Sequence, residues 1–397
     1  GAVAPAGRRP SPAFIPGDAY EGDIPEPKFK FVSSSDLDGG DYRPTWLVPR
    51  VLVKGQPGVI AGPSKGMKTS VLIDLAVSLA AGRPFLGHFD VPTRHRVAVV
   101  SGESGAHTIQ ETARRVCRAR GVDLAAVDGL HWCFDLPTLT NVGVMADFAR
   151  DLAKLKPDVC VLDPLYLLLG GDVDHANLFQ MGAALRVAAE VLLKAGATPI
   201  LVHHASRQLK TGEPMELVHL AYSGLEQFAR QFLLVNRREV YRSDGVHDLW
   251  FRAGGSAGHG GLWGVHIEEG LTDDQFAGRE WNVTVATTTE LHAERADRRE
   301  EGRREAGRAK MRADETTFLN AIDDETEAGR EAATMTRLRS ITGFGSPKVR
   351  EVAAGLIEAG LIEEHAFQQH GGCGARQRAK GYRRTPRRTV PNGSTER

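Results

Sequence analysis

The segment GPSKGMKTS, residues 62–70, contains the residue types that hold a chain of phosphate groups. Its backbone amides can turn inward at the start of a helix, while Lys68 and Thr69 add a cation and a hydroxyl that reaches Mg²⁺. It departs from the pattern G-x-x-x-x-G-K-[ST] at one position, because Met67 replaces the last glycine. We expect Gly66 to absorb part of the unusual backbone geometry, so that a methionine side chain pointing away is tolerated. The alternative is a glycine-rich turn without a ligand.

The residues around this segment favour a phosphate site. A short apolar run precedes it and an amphipathic pattern follows, as expected where a strand leads into a helix whose N-terminus carries partial positive charge. We therefore predict that the segment binds ATP together with Mg²⁺. The predicted nucleotide-binding residues are Gly62, Pro63, Ser64, Lys65, Gly66, Met67, Lys68, Thr69 and Ser70.

Two other strand-like runs end near carboxylates. VCVLD ends at Asp163, which we predict to hold Mg²⁺ together with Thr69. VVSGES contains Glu103, which we assign as the base that orients the attacking water. The alternatives are an aspartate that caps the next loop and a glutamate that caps a helix.

A fourth run, LVHHASR, ends in two adjacent histidines. Consecutive strand residues point to opposite faces, so the pair is poorly placed to share one metal ion. We predict that His204 senses the γ-phosphate and that the other histidine lies in the core.

The composition is that of an ordinary globular protein. The 397 residues are 41% hydrophobic and carry a formal net charge of zero, so no overall attraction to nucleic acid or membranes is expected. No run reaches the ~18 apolar residues that span a bilayer. The four cysteines contain no C-x-x-C pair, which favours a reducing compartment. We predict a cytoplasmic protein without a membrane partner.

The chain divides into four segments. Residues 1–30 are rich in Pro, Gly and Ala and are predicted to be disordered. Residues 31–288 alternate strand-like and helix-like runs, which predicts an α/β domain with a mostly parallel sheet flanked by helices. Residues 289–313 are a charged linker, either helical or flexible. Residues 314–390 form a second, smaller domain.

The runs after Tyr222 differ from the earlier ones. QFLLVNRREVY and the three runs that follow it alternate in polarity and are separated by Gly, Asp and Ser turns. We expect all of them to form an antiparallel extension at one edge of the sheet.

These residues together resemble RecA-like ATPases typified by the hexameric plasmid replicative helicase RepA, within the RecA/DnaB class. The resemblance covers roughly residues 45 to 270 and lies in GPSKGMKTS, SGES, VLD, HHAS and SGLEQFARQ. It implies a RecA-like fold and a ring, expected to be a hexamer, with ATP between subunits. Met67 and the added C-terminal domain depart from the family pattern.

The resemblance also implies roles for basic residues. Arg230 matches the arginine that reaches the γ-phosphate of the neighbouring subunit, with Arg237 and Arg238 as weaker candidates. Arg207 and Lys210 lie in a segment similar to the loop that faces the ring channel, where they would contact single-stranded DNA. A plain surface loop and solvated strand charges are the alternatives.

The C-terminal domain has the element order of a winged helix: helix, turn, helix and hairpin. From residue 367 the chain has eight Lys or Arg and one acid, with a basic tail to residue 397. This suits duplex DNA, although a protein-interaction domain is the alternative. The predicted DNA contacts here are Ser346, Lys348, Arg350, Arg376, Arg378 and Lys380.

Three functions are therefore compatible with the sequence. The first is a DNA-dependent ATPase of the replicative helicase class. The second is an ATP-gated DNA-binding regulator that does not unwind DNA, acting in replication initiation or transcription. The third is a scaffold that does not hydrolyse nucleotide.

Overall fold

A computed structural model of the chain describes residues 31–171, 173–274, 278–370 and 376–386. The segment 1–30, predicted to be disordered, lies outside the described residues. So does the predicted basic tail from residue 387 onward. Among the helices that are described, none is both long and apolar enough to cross a bilayer.

The larger unit contains seven helices and eleven strands in its described residues. In chain order they are α1 Ser34–Gly39, β1 Trp46–Val48, β2 Leu52–Val53, β3 Gly58–Gly62, α2 Lys68–Ala81, β4 Val97–Ser101, α3 Ala106–Ala119, β5 Leu130–Cys133, α4 Val142–Leu155, β6 Val159–Asp163, α5 Leu165–Leu168, α6 Leu178–Lys194, β7 Thr198–His204, α7 Leu225–Phe228, β8 Gln231–Arg237, β9 Val246–Gly255, β10 Gly260–Glu268 and β11 Asn282–Thr287.

The centre of this unit is a nine-stranded sheet in the order β11-β10-β9-β8-β3-β7-β6-β4-β5. The six strands from β8 to β5 pair in parallel, and β9, β10 and β11 pair antiparallel. The predicted mostly parallel sheet with an antiparallel extension is thus confirmed.

Two details of the strand prediction were wrong. The run QFLLVNR, expected in the antiparallel extension, pairs in parallel with β3 as well as antiparallel with β9. It is therefore the last parallel strand, and the direction changes one strand later than expected. The edge strand β5, LHWC, was missed because it is four residues long and mostly half-exposed, which leaves little apolar periodicity to detect.

Helices cover both faces of the sheet and create two apolar layers. One layer contains α2 and α3, and α2 is so central that twelve of its fourteen residues are buried. The other layer contains residues of α4 and α6. This two-sided burial explains why the parallel strands are almost continuously apolar in sequence.

A single long helix, α8 Thr288–Glu327, connects the larger unit to the C-terminal one. A capping box between Thr287 and Glu290 starts it, and Leu291 in its first turn is buried. The predicted charged linker, residues 289–313, lies within this helix and therefore takes the helical alternative. The middle part of the helix is exposed. With 40 residues the helix is about 60 Å long.

The C-terminal unit forms its own small core. The end of α8 supplies Phe318, Ala321 and Ile322 to this core. The remaining elements are β12 Ala333–Thr334, α9 Met335–Thr342, α10 Ser346–Glu358, β13 Ile362–His370 and β14 Arg376–Arg384, with the strands in the order β12-β14-β13. The predicted helices and hairpin are present, while their assignment as a winged helix stays a prediction.

Candidate nucleotide-binding site

The predicted site residues gather where the parallel strands end. In the register of the sheet, Gly62 of β3 lies beside His204 of β7. Likewise Ser101 of β4 lies beside Asp163 of β6. Glu103 follows Ser101 by two residues. The carboxyl edge of a parallel sheet is where α/β proteins place their ligands. Four separate chain segments therefore meet at one edge, as the sequence predicts.

The phosphate loop, residues 63–67, has a different backbone from the one expected. Lys65 and Met67 take the left-handed conformation, with φ of 55° and 69°. Gly66 does not, so the expectation that this glycine absorbs the unusual dihedral angles was wrong. Gly66 is instead required for space, because a Cβ there would lie 2.8 Å from the Pro63 carbonyl oxygen. The Met67 side chain packs against the apolar core beneath α2.

Lys68 lies at the centre of the site. Its side chain is buried, and its Nζ donates to the Pro63 carbonyl at 2.8 Å and contacts Nδ1 of His204 at 3.1 Å. Burial lowers the pKa of Lys68, while the charges of Glu103 and Asp163 oppose this effect. The amine is therefore held close to the loop that it is predicted to serve.

His204 lies between Lys68 and Glu103. Because an ammonium group only donates hydrogen bonds, Nδ1 of His204 must accept from Lys68, which leaves the proton on Nε2. Nε2 faces Glu103 Oε2 at 3.6 Å. Burial and the charge of Lys68 lower the pKa of His204, so the ring is neutral at pH 7. This tautomer directs the Nε2–H toward Glu103.

Asp163 is the most perturbed acid at this edge. Its side chain is buried, and its Oδ2 has no hydrogen-bond partner among the described residues. Burial and the nearby charge of Glu103 raise the pKa of Asp163 to about 6. A buried carboxylate oxygen without a partner fits a hard cation such as Mg²⁺, which takes oxygen ligands.

The described residues contain no cluster of three or more His, Cys, Asp or Glu side chains that could hold a metal ion. Thr69, half-buried in the first turn of α2, is the predicted second ligand. The next residue, Ser70, receives a long hydrogen bond of 3.4 Å from Arg115 Nη2.

Sequence reasoning did not place two residues near the site: Tyr166 was not considered, and Arg237 was considered only as a weaker finger candidate. The Tyr166 ring lies 5.8 Å from the His204 ring, and burial together with Glu103 and Asp163 raises the pKa of Tyr166. Arg237 donates from Nη2 to the Lys65 carbonyl at 2.9 Å. Tyr166 comes three residues after a strand-end aspartate, and this position could have indicated that it lies near the site. Nothing in the local sequence indicates the contact between Arg237 and Lys65.

Arg230 lies at the opposite edge of the sheet from its own phosphate loop. It directly precedes β8, and its backbone N–H donates to Pro57, about 15 Å along the strands from Gly62. Its side chain is exposed and lines a surface cavity of about 670 Å³ together with Phe179.

The two weaker finger candidates are engaged within their own chain. Arg237 contacts the phosphate loop, and the guanidinium of Arg238 lies over the Trp250 ring at 5.4 Å. Both guanidinium groups therefore have contacts within their own subunit.

The loop predicted to face a ring channel is firmly anchored. Asn236 Nδ2 donates to the carbonyls of Lys210 and Glu213, both at 2.7 Å, and Trp250 Nε1 donates to Gly212. The side chains of Arg207 and Lys210 remain exposed. They are therefore accessible to a partner.

The predicted DNA contacts of the C-terminal unit fall into two groups. Arg350, Arg378 and Lys380 are exposed, and Ser346 is half-buried at the start of α10. Lys348 forms an ion pair with Asp314 at 2.5 Å, and its predicted contact with DNA stays a prediction. Of Arg376, only its backbone position as the first residue of β14 is described.

Part of the basic character of the hairpin is neutralised within the unit. Arg383 pairs with Glu363 at 2.7 Å, and Arg384 pairs with Asp323 at 2.5 Å. The local excess of positive charge is therefore smaller than the sequence count indicates.

Comparison with protein-family models matches residues 24–209 to a family described as AAA domain. The match covers slightly less than half of the chain and includes the phosphate loop and the ends of β4, β6 and β7. This part of the chain is thus similar to AAA-type P-loop domains, a similarity that supports nucleotide binding, generally with a divalent metal. The comparison with curated proteins gave no match.

Proposed function

We propose that this protein is an ATP-hydrolysing, DNA-binding protein of the RepA-like replicative helicase class. Hydrolysis at subunit interfaces would drive movement on DNA or its remodelling. The observation that supports the proposal most is the series of contacts from Lys68 through His204 to Glu103, next to the unpartnered oxygen of Asp163. All four groups adjoin the loop of an AAA-type domain.

Each of these groups has a distinct role in the proposal. The amides of the phosphate loop and Lys68 hold the β- and γ-phosphates, while Thr69 and Asp163 hold Mg²⁺. The metal ion neutralises charge that develops on the phosphate oxygens. Glu103, the more exposed carboxylate, orients the attacking water. The Nε2 of His204 lies 3.6 Å from Glu103, and its proton would be donated to a γ-phosphate oxygen when nucleotide is bound.

The position of Arg230 supports action on a neighbouring subunit. An arginine side chain is too short to reach across the sheet to its own loop, so Arg230 serves a phosphate only if another subunit brings one to it. Phe179, exposed at 86%, shares the cavity beside Arg230 and gives this face apolar surface for self-association. A hexameric ring is the assembly that we propose.

The proposed DNA contacts are of two kinds. Arg207 and Lys210 contact single-stranded phosphates in the channel, and Arg350, Arg378 and Lys380 contact duplex phosphates from the winged helix. Lys348 contributes only if its ion pair with Asp314 opens.

The test combines hydrolysis, assembly and unwinding. ATP hydrolysis should increase when single-stranded DNA is added, and a forked duplex should be unwound in the presence of Mg²⁺ and ATP. The oligomeric mass, measured with and without ATP, should correspond to a ring. The helicase proposal would be refuted if single-stranded DNA did not change the rate of ATP hydrolysis and the forked duplex were not unwound.

An ATP-gated DNA-binding regulator is the second candidate. It is favoured by the exposed cations of the C-terminal unit, which a 40-residue helix connects to the unit that contains the nucleotide site. Protection of one defined duplex site, with hydrolysis insensitive to single strands, would support the regulator over the helicase.

A further inference from the structure

The phosphate loop adopts a backbone that its side chains disfavour. Lys65 and Met67 both have positive φ, a region that residues other than glycine enter only at a cost in free energy. In the pattern G-x-x-x-x-G-K-[ST], a glycine stands where this chain has Met67. Something outside the loop must therefore favour the left-handed conformation.

Arg237, the last residue of β8, contacts the loop between the two residues with positive φ, Lys65 and Met67. Its Nη2 donates to the carbonyl oxygen of Lys65 at 2.9 Å. A hydrogen bond from a charged guanidinium to a carbonyl is stronger than one between neutral groups. Because this carbonyl belongs to the peptide group that precedes Gly66, the bond restrains the loop just before Met67.

Arg237 is itself held on two sides. Its Nη1 contacts His247 Nδ1 at 3.1 Å, and its guanidinium carbon lies 4.8 Å from the centroid of the Tyr241 ring. Tyr241 in turn stacks on His247, with ring centroids 4.6 Å apart. The guanidinium therefore has few alternative orientations.

A buried polar network continues from His247 to the other end of the loop. His247 Nε2 lies 3.1 Å from Glu269 Oε1, and Arg115 Nη1 lies 2.6 Å from Glu269 Oε2. Arg115 Nη2 then reaches Ser70 Oγ at 3.4 Å. These groups are almost fully buried, with exposed fractions of 3% for His247, 7% for Glu269 and 2% for Arg115.

The network therefore holds the chain on both sides of Lys68, at Lys65 and at Ser70. Burial opposes ionisation of Glu269, but the hydrogen bond with His247 and the charge of Arg115 outweigh it and keep its pKa below the ordinary value. The ionised carboxylate of Glu269 thus joins Arg115 and His247, with Arg279 also 3.6 Å from its Oε1, and loss of the Arg115 contact would leave a buried charge poorly compensated.

We propose that Arg237 is a positioning residue that holds the phosphate loop in its nucleotide-binding shape and so compensates for the missing glycine at Met67. The inference rests on the proposed function, since it concerns how the same loop binds ATP. It assigns Arg237 a role within its own subunit.

The test is a double-mutant cycle of Arg237→Gln and Met67→Gly, read out by titration with a fluorescent ATP analogue and Mg²⁺. Arg237→Gln alone should weaken binding about tenfold, the order expected for loss of one charge-assisted hydrogen bond. In the Met67→Gly background the same change should cost about twofold or less, because glycine takes positive φ without support. Arg237→Lys keeps the positive charge but loses the planar guanidinium, whose two terminal nitrogens contact Lys65 and His247. This variant should weaken binding at least threefold.

The matched control is Arg238→Gln, which removes the neighbouring guanidinium from the Trp250 ring and should change affinity by less than twofold. Equal losses from Arg237→Gln in both backgrounds, or no loss in either, would overturn the inference while leaving the proposed function intact. If the wild-type protein binds no nucleotide, the proposed function fails first and the inference fails with it. A loss that tracks a lowered thermal midpoint in both Arg237 variants and is not rescued by Met67→Gly would mean a general structural role and would also overturn it.

Discussion

Replacing Asp163 with asparagine should stabilise the nucleotide-free protein at pH 7. The buried carboxylate has an oxygen without a partner among the described residues, and burial with the charge of Glu103 raises the pKa of Asp163 from 3.8 to about 6. A tenfold change in an ionisation constant corresponds to about 1.4 kcal/mol, so ionised Asp163 costs the folded state about 3 kcal/mol at neutral pH. Asparagine is nearly isosteric and avoids this cost.

The pH dependence follows from the direction of the shift. Because the pKa of Asp163 is higher in the folded state, its contribution to stability is fully present below pH 3.8 and is lost as the pH rises through 6. The advantage of Asp163→Asn should therefore be greatest at pH 7, decrease through pH 6 and disappear near pH 4.

Urea unfolding of the nucleotide-free wild-type and variant proteins between pH 4 and pH 7 measures this difference. Asp158→Asn is a matched control of opposite sign. Burial opposes ionisation of Asp158, but hydrogen bonds from Lys54 Nζ and the Arg96 N–H outweigh it and lower its pKa. That variant should be destabilised at pH 7, and less so as the pH falls. An Asp163→Asn protein no more stable than wild type at pH 7 would refute the reasoning.

The remaining predictions concern catalysis and DNA. Glu103→Gln should bind ATP with near-normal affinity but lose at least a hundredfold in hydrolysis rate, measured by single-turnover release of phosphate. Arg230→Ala should also spare binding but reduce hydrolysis in the assembled ring, and mixing it with Glu103→Gln protein should restore part of the rate at mixed interfaces. Arg378→Ala combined with Lys380→Ala should weaken duplex binding and reduce the slope of log affinity against log salt by up to about 0.9 for each lost phosphate contact.

The DNA measurement and the mixing experiment each have a control. For the DNA measurement, Arg384→Ala removes a cation that is already paired with Asp323 and should leave the salt slope unchanged. For the mixing experiment, each variant measured alone sets the baseline. If mixing restores no hydrolysis, Arg230 does not act in a site shared between subunits. If the double variant has an unchanged salt slope, the hairpin does not contact DNA.

Much of the nucleotide site could be predicted because it depends on local pattern and on where strands end. Asp163 and His204 each close a continuous apolar run, and parallel strands bring such ends to one edge. Glu103 follows from the same argument, two residues further along the chain. These predictions needed only the knowledge that the strands are parallel, which the alternation of strand-like and helix-like runs indicates.

What could not be predicted depends on contacts between distant segments. Arg237 meets Lys65 across 172 residues of sequence, and no local pattern carries that pairing. The ion pair of Lys348 likewise depends on how α8 packs against α10, which brings Asp314 beside it. The left-handed Met67 was misjudged because propensity favours glycine there, whereas packing and the contact from Arg237 favour the observed conformation.

The central claim is that residues 62–70 bind Mg²⁺ and ATP through Lys68. Isothermal titration of the wild-type protein and of Lys68→Ala with ATP in the presence of Mg²⁺ tests this claim most directly. We predict saturable heat for the wild-type protein and at least a hundredfold weaker binding for Lys68→Ala, with both proteins equally folded by circular dichroism. Wild-type protein that gives no heat, or a Lys68→Ala variant that binds as tightly as wild type, would contradict the account.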